Sequence, residues 1–188
     1  ACAVHCRYCF RRHFPYPGVA ARGNWDASIE ELRRLEVEEL ILSGGDPLML
    51  SDRSLHALLA SANGVQTLQR LRIHTRLPVV LPSRIGPALL EPFATSRLRP
   101  VWVIHANHPN EITPALGAAV RQLRDSGGTV FNQSVLLKSV NDDADTLETL
   151  SKRLFEVNVL PYYLHLLDPV AGAAHFAVPE DQARDLYG

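Results

Sequence analysis

Lysine is scarce in this sequence: of its 19 basic side chains only Lys138 and Lys152 are lysines. Cysteine is scarce too. Cys2, Cys6 and Cys9 all fall within the first nine residues, and an odd, clustered set makes a poor disulfide framework. Ligation by thiolates suits them better and fits a reducing cytoplasm. Charge excess is absent: the formal net charge is −1, so no broad basic surface points to nucleic acid. No apolar run reaches the ~18 residues of a membrane span, which argues against a membrane partner. No repeat or low-complexity tract interrupts the 188 residues, which are 46% hydrophobic and 21% charged. That is enough for one domain with a sizeable core. The sequence opens inside its densest motif, and Gln182–Gly188 reads as a helix cut short. Residues 1–188 are therefore expected to be one core domain from a longer chain.

What the sequence does have is alternation. Glu38–Leu42, Leu71–Thr75, Val101–His105, Thr129–Val135 and Val159–His165 read as strands. Ser28–Leu35, Ser54–Ala62, Pro87–Ala94, Pro114–Ser126 and Asp145–Glu156 carry helical periodicity. Thr113-Pro114 reads as a helix start and Gly127-Gly128 as a stop. Short strands alternating with helices imply βαβ units and a parallel sheet. An open doubly wound sheet and a (β/α) barrel both fit. The barrel is favoured because the strand ends carry polar residues, and a barrel gathers those ends around one mouth. A further strand is expected before Ala1, giving a partial (β/α)6 barrel that lacks its first strand and its C-terminal part.

Three thiolates on one short loop, Cys2-x3-Cys6-x2-Cys9, suit an iron–sulfur cluster. Such clusters usually take four cysteines, so three leave one iron open to a small molecule, as open metal sites do. The alternatives are half a zinc site or a redox pair at Cys6-x2-Cys9. Zinc would need a second ligand pair, for which His5 or His13 are cramped substitutes.

Other residues gather at the strand ends. Ser43-Gly44-Gly45-Asp46 follows the first strand, where glycines let backbone approach a ligand and free amides take up charge; a plain tight turn is the alternative. Arg11-Arg12 follows the cysteine loop and could fork a carboxylate. His74, Arg76, His105, Asn107 and His165 end strands and could each be satisfied polar groups or ligand contacts. Asn132-Gln133-Ser134 needs buried partners. Asp168 is a carboxylate seeking a cation, or a turn residue before Pro169.

The Cys-x3-Cys-x2-Cys spacing is the signature of the radical S-adenosylmethionine (SAM) superfamily. Cys6-Arg-Tyr-Cys-Phe-Arg-Arg12, Ser43-Gly-Gly-Asp-Pro-Leu48, Leu71–Ile85, Asn107–Ile112, Asn132–Leu137 and Val140-Asn-Asp142 together resemble the lysine 2,3-aminomutase family. Leu160–Asp168 with Gly172–Phe176 is more similar to the branch acting for elongation factor P than to the free-lysine enzymes. The resemblance implies an isomerase with a [4Fe-4S] cluster, SAM, pyridoxal 5′-phosphate (PLP) and a one-electron reductant, moving the α-amino group of L-lysine to the β-carbon. A free-lysine aminomutase and a radical SAM enzyme without PLP are the alternatives.

The resemblance also implies roles. Cys2, Cys6 and Cys9 would hold the cluster. Tyr8, Ser43, Gly44, Gly45, Asp46, His105 and Gln133 would bind SAM. Arg11 would take the substrate carboxylate and Asp168 the ε-ammonium. An Asp168 so placed argues against a glutamate 2,3-aminomutase, since like charges repel. The PLP lysine is expected after Gly188, because Lys138 and Lys152 suit the role poorly. A homo-oligomer is left open.

Overall fold

Polar and apolar side chains alternate along the strands, and that alternation decides which face of the sheet becomes a core and which a cavity. In a computed structural model, residues 2–14 and 25–187 are described. The elements run α1 (Asp26–Leu35), β1 (Glu39–Leu42), α2 (Asp52–Asn63), β2 (Arg70–Thr75), α3 (Leu77–Val80), α4 (Pro87–Ala94), β3 (Arg99–His105), α5 (Pro114–Asp125), β4 (Thr129–Val135), α6 (Ala144–Glu156), β5 (Leu160–His165) and α7 (Glu180–Tyr187). All five expected strands form, and each ends at the expected residue. The terminal helix also forms, although Gly188 lies outside the described residues.

The strands are all parallel and lie in the order β1-β2-β3-β4-β5. A doubly wound sheet reverses its strand order at a switch point; this one does not, so the architecture is a partial barrel. Strands buried on both faces normally read as continuous apolar runs. Here Arg70-Leu-Arg-Ile-His-Thr75 is buried at every second residue. Leu71, Ile73, Trp102, Ile104 and Val130 join the core with Leu55, Leu59, Phe93, Leu116 and Val120 of the helices. The opposite, concave face carries Arg70, Arg72, His74, Arg99, His105 and Gln133.

Local chemistry sets the helix starts. The Ser51 side chain accepts from Ser54 N, that of Thr113 from Leu116 N and that of Asp143 from Thr146 N, as N-caps do. The short α3 was not expected from the sequence. Its cap comes from a distant residue: Asp46 accepts from Arg76 N at 2.7 Å and Leu77 N at 3.2 Å. At the N-terminal ends of the strands a cavity of about 600 Å³ holds Glu39, Arg70, Arg72 and Arg99. Glu39 pairs there with Arg72 at 2.9 Å. None of the expected site residues lines it. No helix among the described residues is long and apolar enough to cross a membrane.

The expected Gly127-Gly128 stop ends α5 by two different means. Gly127 takes a left-handed φ of 85°, a region that favours glycine. Gly128 lies against the core: a Cβ there would press on the Trp102 indole nitrogen, with Leu123 O 2.8 Å away. Gly128→Ala is expected to destabilise the fold by about 2 kcal/mol through overpacking. Denaturant unfolding checks this, and an unchanged midpoint would contradict it.

Candidate active site

The C-terminal ends of the strands converge on one cavity of about 330 Å³, where β/α barrels build their sites. Its first wall is the turn after β1. Gly44 has a φ of 121°, and the Arg11 guanidinium lies 3.4 Å from where a Gly44 Cβ would stand. Glycine thus suits the position twice, by conformation and by the room it leaves. Asp46, next in the chain, lines the cavity but spends its carboxylate on the scaffold. It accepts from Leu48 N at 3.0 Å and from the Thr75 hydroxyl at 2.7 Å, besides the two amides at the start of α3.

The cysteine loop forms the second wall. It is a run of tight turns, with Cys9 N bonded to Cys6 O at 3.2 Å and Arg12 N to Cys9 O at 3.0 Å. Cys2, Cys6 and Cys9 are all half-buried free thiols and all line the cavity. Among the described residues no three His, Cys, Asp or Glu side chains are gathered tightly enough to hold one metal ion.

The loop is pinned at two points. Arg7 Nη2 lies 3.0 Å from His175 Nε2, and the Arg7 guanidinium sits 5.0 Å over the Phe176 ring. That contact ties the loop to the segment after β5. The second pin is Tyr8, whose hydroxyl accepts from Arg76 Nη1 and Asn107 Nδ2, both at 2.7 Å. Arg76 in turn donates to His105 O at 3.1 Å and to Glu111 Oε1 at 2.6 Å. Glu111 Oε2 accepts from Asn107 N at 2.6 Å and His108 N at 3.2 Å. Burial pushes the Cys6 thiol up; the Arg76 charge and a hydrogen bond from Tyr8 pull the other way. Burial also raises Tyr8, against the opposing Arg76 charge.

Histidines form the floor. His74 and His105 meet edge-on with ring centroids 6.1 Å apart, and both line the cavity with His165 and Gln133. Burial lowers His105 to about 3, helped by His74, Arg76 and His165. Its Nε2 is buried without a partner among the described residues. His74 is lowered too, mainly by burial, against a hydrogen bond to Gln133. Both rings are neutral at neutral pH.

The structure therefore brings together on one cavity Cys2, Cys6, Tyr8, Cys9, Arg11, Ser43, Gly44, Gly45, Asp46, His105, Gln133 and Asp168. Arg12, His74, Arg76 and His165 also line it. Arg11 stacks over Phe10 and Phe14, 5.3 and 5.5 Å from the ring centroids. Asp168 is exposed on the loop after β5.

Other candidates fall elsewhere. Asn107 is buried behind Tyr8 and accepts from Val135 N at 2.9 Å. Asn132 bridges Ala106 N and O at 2.8 and 3.0 Å, with Ser134 bonded to the same carbonyl. Lys152 pairs with Glu148 at 2.7 Å, and Lys138 is exposed; neither lines the cavity.

Glu111 and Asn141 were not recognised from the sequence alone. Asn141 is fully buried; it donates to Asn107 O and Val135 O and accepts from Leu137 N, so it fixes the loop after β4. A signal for Glu111 existed in His108-Pro-Asn-Glu111, whose spacing gives a capping box.

No protein-family model matches the chain. Curated relatives do. The chain is 51% identical over 187 residues to the L-lysine 2,3-aminomutase of Escherichia coli strain K12, covering 98% of this chain and 55% of that protein. It is 50% identical over 190 residues to the L-lysine 2,3-aminomutase of Haemophilus influenzae, covering 99% and 56%. To that of Clostridium subterminale it is 37% identical over 182 residues, covering 95% and 43%. The chain thus spans about half the length of the curated relatives it matches. The crystal structure of a radical SAM methyltransferase from Sphaerobacter thermophilus superposes with a TM-score of 0.62 at 16% identity, over 99% of this chain and 59% of that one. That likeness shows a shared fold. With a three-cysteine loop at the mouth of a partial barrel, the chain is similar over nearly all of its length to about half of three L-lysine 2,3-aminomutases, at identities of 46–51%.

Proposed function

We propose that this chain is the cluster- and SAM-binding region of an aminomutase that converts L-α-lysine to β-lysine. The observation that carries the reading is the meeting of Cys2, Cys6 and Cys9 with the Gly44-Gly45 turn on one cavity. Three thiols that line one cavity without converging on one point suit a four-iron cluster, in which each thiolate takes its own iron. They suit a single zinc ion less, since its ligands must converge on one point.

This chain's own residues have distinct tasks. Cys2, Cys6 and Cys9 hold the cluster. The backbone of Ser43, Gly44 and Gly45 offers amides to a charged ligand. The buried, unpartnered His105 Nε2 wants a hydrogen-bond partner, and SAM would supply one. Gln133, beside His105 in the register of β3 and β4, extends that contact. Tyr8 offers its ring to the SAM side while its hydroxyl anchors the loop. Asp46 acts through the scaffold it caps. Arg11 offers a fork for the substrate carboxylate, and Asp168 a charge for the ε-ammonium.

Bound here, the cluster and SAM supply a radical able to abstract hydrogen, and PLP supplies a carrier for the migrating amine. A lysine imine to PLP does not fit the residues described: neither Lys138 nor Lys152 lines the cavity. PLP would depend on residues other than those described, and no step is assigned to it. The likeness of Leu160–Asp168 and Gly172–Phe176 to the elongation factor P branch supports that factor as the destination of the product, against a free-lysine pathway. The electron comes from a separate one-electron reductant.

The full-length protein incubated anaerobically with lysine, SAM, PLP and a strong reductant is expected to yield β-lysine. Turnover of another amino acid in place of lysine would overturn the substrate. Asp168→Ala should raise KM for lysine at least about tenfold, as loss of a charged hydrogen bond does, and leave SAM cleavage measurable. Unchanged KM would reject the role given to Asp168.

His105 generates a pH prediction. The unfolded chain takes up a proton near 6.5, whereas the folded ring waits until about 3. Stability from this group is therefore full above the unfolded value and falls as pH drops from 6.5 toward 3. His105→Gln is expected to flatten the stability profile between pH 6.5 and about 5, measured by denaturant unfolding. A profile as steep as the wild type's would show that His105 is not held neutral.

A further inference from the structure

We propose that Arg7 sets the length of substrate the cavity accepts, by clamping the cysteine loop to the segment after β5. This rests on the lysine reading above and deepens it, naming the residue that fixes the distance between the two ends of the substrate. Arg7 would be a positioning residue that acts through Arg11 and Asp168.

The two charges given to the substrate stand on different parts of the chain. Arg11 belongs to the cysteine loop, four residues after Arg7. Asp168 belongs to the segment between β5 and α7. Both line the cavity, so a ligand held at both ends reaches from one part to the other. Its span is then set by whatever holds the two parts together.

The Asp168 segment is itself anchored. Leu136 N donates to His165 O at 2.8 Å where it begins, and Lys138 N to Phe176 O at 2.9 Å farther on. Ala173 N donates to Val170 O at 3.0 Å and Phe176 N to Ala173 O at 2.9 Å. Gly172 takes a φ of 79° there, and Ala173 is fully buried. Asp168 lies between fixed points and goes where the segment goes.

Arg7 joins this segment to the cysteine loop. Its Nη2 lies 3.0 Å from His175 Nε2. An arginine can only donate, so His175 accepts. The same guanidinium lies 5.0 Å over the Phe176 ring, at cation–π distance. The His175 and Phe176 rings pack with centroids 4.1 Å apart, so one side chain grips both at the anchored end of the segment.

The consequence is selectivity. A diamino acid one methylene shorter than lysine has the same two charged ends and differs in the distance between them. One missing methylene in a fitted pocket costs roughly 10–200-fold. The clamp is exposed, and an exposed cation–π contact is modest, so it biases the spacing without locking it. Releasing it lets the Asp168 segment follow a shorter chain.

The experiment uses the full-length protein, reconstituted anaerobically with iron and sulfide and supplied with SAM, PLP and a reductant. Its readout is the Ki of L-ornithine as a competitive inhibitor divided by the KM for lysine. In the wild type that ratio is expected to be at least about ten. Arg7→Ala should keep its iron and lower the ratio at least about threefold. Adding His175→Ala to Arg7→Ala should change almost nothing more, because both belong to one contact. Damage that is only structural would lower kcat or raise both constants alike and leave the ratio where it was; that result overturns the clamp. If Arg7→Ala fails to hold iron, the double variant His175→Ala with Phe176→Leu decides: a lowered ratio supports the clamp and an unchanged one overturns it. A wild type that makes no β-lysine, or that binds ornithine and lysine alike, overturns the lysine reading beneath it instead.

Discussion

Cys6 and Cys9 face the cavity on a loop whose two intervening residues, Arg7 and Tyr8, are both pinned. Tyr8 turns its hydroxyl into the sheet, where Arg76 and Asn107 meet it, and the two flanking thiols are carried over the cavity as a result. A short loop without such an anchor would sample many conformations, each at a cost in chain entropy to organise. The anchor itself is polar and half-buried, so it holds only while every member is satisfied. Glu111, fixed by two amides and paired with Arg76 at 2.6 Å, closes that account at the far end.

The same logic explains the concave face. A sheet that buried apolar side chains on both sides would be more stable and would have no site. This one gives up the inner layer along β2 and at the C-terminal ends of β3 and β4. His74, His105 and Gln133 stand there in place of aliphatic groups. Burial holds the two imidazoles neutral; of the charged groups that line the same cavity, Arg76 and Asp46 are bonded to neighbouring groups, and Arg11, Arg12 and Asp168 complete the set.

Much of this was legible in the sequence. All five strands end at the expected residues, Leu42, Thr75, His105, Val135 and His165, because short runs set between helical stretches mark strands locally. The cysteine spacing and the Gly-Gly turn were legible because each is local. What was not legible is what depends on distant partners. Asp46 lines the cavity, but that its carboxylate also caps α3 across some thirty positions of sequence could not be read locally. Asn107, open to either a ligand or a protein partner, accepts from Val135 N, and Asn132 finds its buried partners in Ala106 N and O. Arg76 looked like one strand-end charge among several, and only its packing against Tyr8 and Glu111 shows that it holds the loop. No periodicity encodes such pairings.

The central claim is that three cysteine sulfurs hold a four-iron cluster and leave one iron open to SAM. Mössbauer spectroscopy of the full-length protein, reconstituted anaerobically with labelled iron, tests it most directly. The account predicts a [4Fe-4S] cluster in which one iron of the four changes its spectrum when SAM is added. Four irons that all ignore SAM, or a protein that takes up zinc and no iron–sulfur cluster, would contradict it.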